Sequence, residues 1–331
     1  MRKCCWTGSF GFELAILIFL ASMPVPGHTA ERLVFGHILE DSTAHHRHLL
    51  WAAGEIERSL KGRYRLDVVP RGQLGVTDAQ VIEGFNRGVA QMAYLSLGHL
   101  PGIYDPLSIG AGPFVFRDFE HWTLFANSTL FKELVRELEN RAGLKVFGLA
   151  YYGERHVTTK SPLSPHDHVK GLAIRVPSIP IIVLSFRALG GRPVQIPFKE
   201  TYQALKEGIV DAQENPLPAI KAMRFYEVTK VVNLTAHIAD AQLLVMDGKR
   251  WMAIDKKDQP VMAAIFEEAA RRVTSDVRQE EVELKDWLLK AGAEFHRIDR
   301  ERMIKQIQPF HQKEGYFPWP GPLYDRIQAL R

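Results

Sequence analysis

Leu33-Val34-Phe35-Gly36-His37-Ile38 opens the segment that decides the fold. It is short, apolar and rich in β-formers, so it reads as a strand. Downstream, Leu49, Ala53, Ile56 and Leu60 recur at steps of three or four, which puts them on one face of a helix. Leu66 and Val68 then alternate with polar neighbours as a half-buried strand does, and Pro70 closes that run. Thr77 is placed to cap a further helix carrying Val81, Ile82 and Phe85, with Gly88 just past its end, and Val89 to Ser96 returns to a strand. The order is βαβαβ, which builds a parallel or mixed sheet covered by helices.

Working outward, a second unit repeats this logic. Lys145-Val146-Phe147-Gly148-Leu149-Ala150-Tyr151 reads as a strand, as does Ala173-Ile174-Arg175-Val176, and the helix between the latter and Val194-Gln195-Ile196 ends at Gly190. A further helix runs from about Thr201 to Glu207 and stops at Gly208. Between Asp258 and Lys290, Val261, Ile265, Ala269, Val273, Val277, Leu284 and Leu288 recur mostly at helical steps, so this stretch reads as one long helix. Two α/β units in 331 residues exceed what one core of ordinary size holds, and two lobes are expected.

The N-terminus carries Arg2-Lys3, then the apolar run Leu14 to Ala21, then a Pro- and Gly-broken stretch ending at Ala30. That order is the one of a cleaved secretory leader over residues 1–30, and the apolar run is short of the roughly 20 residues a bilayer span needs. Export to the periplasm is therefore expected. Both cysteines, Cys4 and Cys5, precede the apolar run, so the mature chain would form no disulfide, thiolate nucleophile or cysteine metal site. Without the leader the formal charge falls from +4 to +3, too small an excess to suggest nucleic acid, and no basic run tracks a phosphate backbone.

Enzyme signatures are weak. The sequence has no P-loop, no GxGxxG after its first strand and no HExxH. Tyr94-Leu95-Ser96-Leu97-Gly98 approaches a nucleophile elbow but has tyrosine where the first glycine is needed. His45, His46 and His48 form a cluster in which His45 and His48 share a helix face, yet spacing identifies no third metal ligand, and His166-Asp167-His168 reads as a loop. No cofactor or metal is expected.

More informative are arginines at strand ends, where open α/β sheets bind ligands. Gly153-Glu154-Arg155 follows one strand, Arg175-Val176-Pro177 ends another, and Pro197-Phe198 and Gln213-Glu214-Asn215-Pro216 come at later ones. A guanidinium offers a rigid two-pronged donor that matches a carboxylate.

Six motifs carry a resemblance: Pro70-Arg71-Gly72-Gln73-Leu74-Gly75, Gly171 to Pro177, Ala188 to Val194, Tyr202 to Pro216, Phe225-Tyr226-Glu227-Val228 and Leu234-Thr235-Ala236-His237. In this order they resemble the substrate-binding subunit of a tripartite ATP-independent periplasmic (TRAP) transporter, the family that includes the C4-dicarboxylate-binding proteins. The resemblance implies a two-lobed periplasmic solute-binding fold with mixed sheets, a hinge and a long helix bridging the lobes. Lobe I would comprise residues 31–152 plus about 241–280, and lobe II 153–240 plus about 281–331. It implies capture of a small organic-acid anion, a C4-dicarboxylate or a related hydroxy, oxo or sugar acid, and its delivery to membrane subunits, with no catalysis. A monomer is expected, with a dimer left open.

By the same resemblance Arg175 forms the two-pronged salt bridge to a ligand carboxylate, Asn215 hydrogen-bonds that carboxylate, Arg155 lies beside the ligand and Phe198 packs on it. Phe35, His37, Tyr94 and Ser96 are further candidates from the first lobe, and Tyr151, Tyr152, Ser178 and Gln213 from the hinge and second lobe. His237 is read as structural or gating. Two alternatives stand beside this reading: a ligand-presenting periplasmic sensor subunit, and a secreted α/β hydrolase.

Overall fold

The computed structural model describes residues 30–75, 80–164 and 168–331. The expected leader up to its last residue, the capping Thr77, and His166 with Asp167 lie outside the described residues. No described helix is long and apolar enough to cross a membrane.

Nine strands form one sheet: β1 (Glu31–Gly36), β2 (Tyr64–Val69), β3 (Met92–Ser96), β4 (Leu144–Thr159), β5 (Ala173–Val176), β6 (Arg192–Gln195), β7 (Ala212–Pro216), β8 (Val231–Asp247) and β9 (Glu294–His296). Their order is β2-β1-β3-β8-β4-β7-β5-β6, with β9 alongside β8. β1 runs parallel to β2 and β3, and β5 parallel to β6 and β7, as the two βαβ patterns require. Between these ends lie β4 and β8, antiparallel to each other. They have 16 and 17 residues, so each reaches roughly 50 Å. Gln242 to Met246 of β8 pair with β3, and Arg155 to Thr159 of β4 pair with β7, so both strands pass from one half of the molecule to the other.

The sequence reading ends the β4 strand at Tyr151 and puts Gly153 beyond it. In the fold the chain stays extended to Thr159, because Gly153 accommodates a bulge. The β4–β8 register shifts between Tyr151 and Gly153, where the glycine adopts φ 122°. A Cβ there would stand 2.7 Å from Cβ of Pro216, so glycine alone fits.

Eleven helices cover the described sheet: α1 (Ala44–Ser59), α2 (Val81–Asn86), α3 (Phe119–Asn127), α4 (Thr129–Ala142), α5 (Pro180–Ala188), α6 (Thr201–Glu207), α7 (Leu217–Ala222), α8 (Gly248–Ala253), α9 (Gln259–Lys290), α10 (Arg300–Gln312) and α11 (Gly321–Gln328). Thr43 caps α1 by accepting the His46 amide proton, and the buried stripe runs through His45, Leu49, Ala52 and Ile56. Ala52, one residue before the expected Ala53, is the fully buried alanine. The long helix is α9, and it serves two cores. Met262, Phe266, Ala269 and Val273 join the large core under β1, β3 and β8. Leu284 and Leu288 join a second core with Leu205, Leu217, Phe225 and Val232. The C-terminal chain, grouped with lobe II in the sequence reading, touches both halves: Gln306 and Tyr316 donate to the Ala188 and Leu184 carbonyls of α5, and Phe317, Trp319 and Tyr324 join the large core, which also holds Ile174 and Phe186. There Gln328 donates to the Val115 carbonyl, and His121 meets the Ile327 carbonyl at 2.9 Å.

Candidate ligand-binding site

Arg175 stands on β5 directly beside Gln213 of β7, so its side chain leaves the sheet on the face shared with Gln213 and Asn215. It is 1% exposed. Its Nε donates to the Ile196 carbonyl at 2.8 Å, and the guanidinium carbon lies 5.8 Å from the centre of the Phe198 ring. No carboxylate of the described residues comes within salt-bridge distance of this cation. Burial, and then the neighbouring Arg155 charge, pull its pKa down to about 10, against a partial counter-effect of Glu214.

Arg155 is the opposite case. Its Nε and one terminal nitrogen grip Glu214 at 2.5 and 2.7 Å, and the other terminal nitrogen holds Asp240 at 2.7 Å. Burial works against its charge, but the two carboxylates outweigh that and raise its pKa. Glu214 is also buried; the Arg155 charge and a 3.3 Å contact from His237 Nε2 overcome that burial and hold the carboxyl at about 2. His237 is in turn fixed by Thr235 at 2.8 Å. Arg155 therefore has its donors committed inside the protein, and its contact with this face is a 3.4 Å bond to the Asn215 carbonyl oxygen.

That bond orients Asn215. Its amide nitrogen donates to Gln213 Oε1 at 2.6 Å, and Gln213 donates on to the Thr158 hydroxyl at 2.9 Å. Asn215 keeps a second amide hydrogen, and Gln213 is consumed as its brace.

Across from Arg175 stands a wall of rings. Tyr94 meets Phe35 at 5.1 Å and His45 at 5.1 Å, and His45 meets Tyr152 at 5.4 Å, all edge to face. His37 follows β1 and shares a 3.0 Å contact with His46. Tyr152, Leu39 and Ala219 form one small apolar cluster against which Phe198 and Ile38 pack, so the two halves touch over the site. They touch again where Gly98 meets Ile179: a Cβ on Gly98 would stand 2.3 Å from Ile179 Cγ2.

Three expected contacts sit elsewhere. Tyr151 points to the other side of β4 from Tyr152 and packs on Phe119 and Trp122, both at 4.9 Å. Alternation along a strand separates the two tyrosines. The Ser96 hydroxyl turns back to accept the Gly98 amide at 3.2 Å, and Ser178 is exposed and serves His99 through its backbone. The three clustered histidines also disperse, with His45 facing Tyr94, His46 facing His37 and His48 bonding Asp276 at 2.8 Å. Sequence reasoning missed His45 as a wall residue, although its place in the first turn of the helix after β1 was the available signal. It missed Asp240 because nothing local marks a pairing 85 residues distant.

The bacterial extracellular solute-binding protein, family 7, profile matches residues 35–315. The sialic acid-binding periplasmic protein SiaP of Vibrio cholerae is 26% identical over 319 residues, 96% of this chain and 98% of SiaP. The 2,3-diketo-L-gulonate-binding periplasmic protein YiaO of Escherichia coli is 26% identical over 276 residues, 83% of this chain and 84% of YiaO. Among solved structures, a TRAP periplasmic solute-binding protein from Bordetella bronchispeptica, with density interpreted as pantoate, superposes with a TM-score of 0.83 at 25% identity, covering 91% of this chain and 99% of that one. Matched over most of its length by that profile, and alike in fold to these binding proteins, the chain belongs to the family 7 extracellular solute-binding proteins, the solute-binding proteins of TRAP transport systems.

Proposed function

We propose that this protein captures a small organic-acid anion between its halves, with Arg175 as the carboxylate receptor, and passes it unaltered to the membrane subunits of a TRAP transporter. One observation carries this reading: Arg175 is a buried cation with no counter-ion in salt-bridge contact among the described residues. A buried charge is retained at such cost only where something pairs it, and the planar guanidinium over Phe198 leaves its outer edge for two parallel bonds to a carboxylate. Asn215, locked by Arg155 and Gln213, offers its remaining amide hydrogen to the same group. The acids named for the relatives, sialic acid and 2,3-diketo-L-gulonate, agree with such a receptor.

Closure follows from the same charge. Bringing the halves together dehydrates Arg175, which is unfavourable until a carboxylate arrives. The anion therefore binds the closed arrangement better than the open one and shifts the population toward it. The bulge at Gly153 and the crossing of β8 near Asp240 are the places where we put the pivot, with residues 31–152 plus about 241–280 moving against 153–240 plus about 281–331. Arg155, Glu214, Asp240 and His237 lie at this pivot as a fully satisfied network that holds the ligand-facing strand in register.

Thermal unfolding of the mature protein against C4-dicarboxylates, hydroxy acids, 2-oxo acids, sugar acids and aromatic acids tests the reading. A ligand at 100 times its Kd adds about 2.7 kcal/mol and raises Tm by several degrees. Absence of any shift, in folded protein freed of co-purified ligand, refutes the carboxylate assignment.

A further inference from the structure

We infer that the ligand of this site is a singly charged carboxylic acid whose uncharged remainder carries a hydroxyl or carbonyl oxygen, and that His45 on α1 reads that oxygen through Nε2; this rests on the reading of Arg175 given above. The two buried arginines and the two buried carboxylates beside them sum to zero formal charge, although both carboxylates are paired with Arg155 and neither reaches Arg175. Arg155 and Arg175 face Glu214 and Asp240, so one carboxylate brings the closed site to a single negative charge and a dicarboxylate would bring it to two. A second carboxylate would need a cation in the opposite wall. The described residues there are Phe35, Tyr94, Tyr152 and the imidazoles of His37, His45 and His46.

Those imidazoles do not supply the charge. His37 Nε2 and His46 Nδ1 meet at 3.0 Å, a contact that holds one proton between two rings and excludes two imidazolium ions. His45 is 2% exposed and edge-on to two tyrosines, and burial holds it and His37 at about 3. The nearest guanidiniums on this side are already paired, Arg71 with Glu40 and Asp41, and Arg47 with Asp276 and Glu280.

What remains is a neutral wall with two buried imidazole nitrogens that lack a partner, His37 Nδ1 and His45 Nε2, of which the second belongs to the ring that meets Tyr152. His45 Nε2 is buried and has no hydrogen-bond partner. Buried nitrogens are almost always paired, so an orphan calls for a missing partner. The ring bearing it abuts Tyr152, which is near enough to both Arg175 and Arg155 to influence their titration and packs in one cluster with Phe198. His45 and Arg175 are thus connected through Tyr152 and Phe198. A neutral imidazole both donates and accepts, so it serves a hydroxyl or a carbonyl.

The test is calorimetric titration of the mature protein and its H45F variant with three matched series: C4 to C6 hydroxy monocarboxylates, aldaric diacids of equal length, and the alkanoates lacking the hydroxyls. For the wild type, the best hydroxy monocarboxylate should bind at least about tenfold tighter than its diacid and its alkanoate counterparts, the worth of one good hydrogen bond or more. H45F, which keeps the ring contacts, should weaken the hydroxy acid about tenfold and the alkanoate less than about threefold. H45Q, which keeps a polar head, replaces H45F should that variant not fold. A diacid that binds as tightly as the hydroxy monocarboxylate overturns this inference, as does equal weakening of both series in the variant. In either event the Arg175 reading stands if R175M still abolishes binding; binding of no acid at all overturns both.

Discussion

Replacing Arg175 by methionine should move ligand affinity and ligand-free closure in opposite directions. The side chain is 1% exposed and its pKa is drawn from 12.5 to about 10, which corresponds to about 3 kcal/mol of unfavourable burial of the charge. Methionine removes that cost and retains the aliphatic volume, losing the bond from Nε to the Ile196 carbonyl, about 1 kcal/mol. The closed arrangement should gain about 2 kcal/mol, a roughly 30-fold shift in its population. Against this, the carboxylate loses two charge-assisted bonds at about 1.5–3 kcal/mol each, so affinity should fall at least about a hundredfold. Calorimetry reads the affinity, and small-angle scattering reads closure: ligand-free R175M should have the radius of gyration of the ligand-bound wild type. A variant that binds within about threefold of wild type, or one that stays open and loses stability, refutes the argument and makes Arg175 an ordinary structural residue.

Two further outcomes follow from the surrounding network. Glu214→Gln leaves Arg155 with Asp240 alone and should cost about 3–5 kcal/mol, seen as a Tm roughly 6–15 °C lower; a Tm unchanged within a degree would contradict the pairing described. Acid should destabilise the fold well above the carboxylate range. His37, His45 and His156 are held at about 3 by burial, so each stays neutral in the fold while the unfolded chain takes up its proton below pH 6.5. Stability from these groups is complete above pH 6.5 and declines toward pH 3, by about 2 kcal/mol each at pH 5. Glu281, raised by burial to about 7, binds its proton earlier in the fold than in the unfolded chain and returns roughly 2–3 kcal/mol over the same interval. These four groups together lose about 3–4 kcal/mol between pH 7.5 and 5, and His311, held at about 4 by burial, adds about 2 kcal/mol, measurable as a lower denaturant midpoint; an unchanged midpoint would show that the rings are accessible to protons in the folded state.

Sequence periodicity alone determined the two βαβ units, the long helix and the arginine at the end of a short strand, because each depends on neighbours within one turn or one strand. The family resemblance drawn from six ordered motifs was legible for the same reason. Tertiary structure decided everything that depends on which strand lies beside which. Arg155 and Arg175 are indistinguishable as sequence, both arginines near strand ends; only the pairing of β4 with β7 and β8 hands Arg155 its two carboxylates and leaves Arg175 with none among the described residues. Tyr151 and Tyr152 are adjacent, yet the alternation of an extended strand sends one into the core beneath Phe119 and the other toward Leu39, Ala219 and Phe198. His45 read as one of three clustered histidines until α1 was laid on the sheet and turned it between Tyr94 and Tyr152. A local pattern fixes what a residue can do, and the free energy of its charge is set by neighbours tens of residues away.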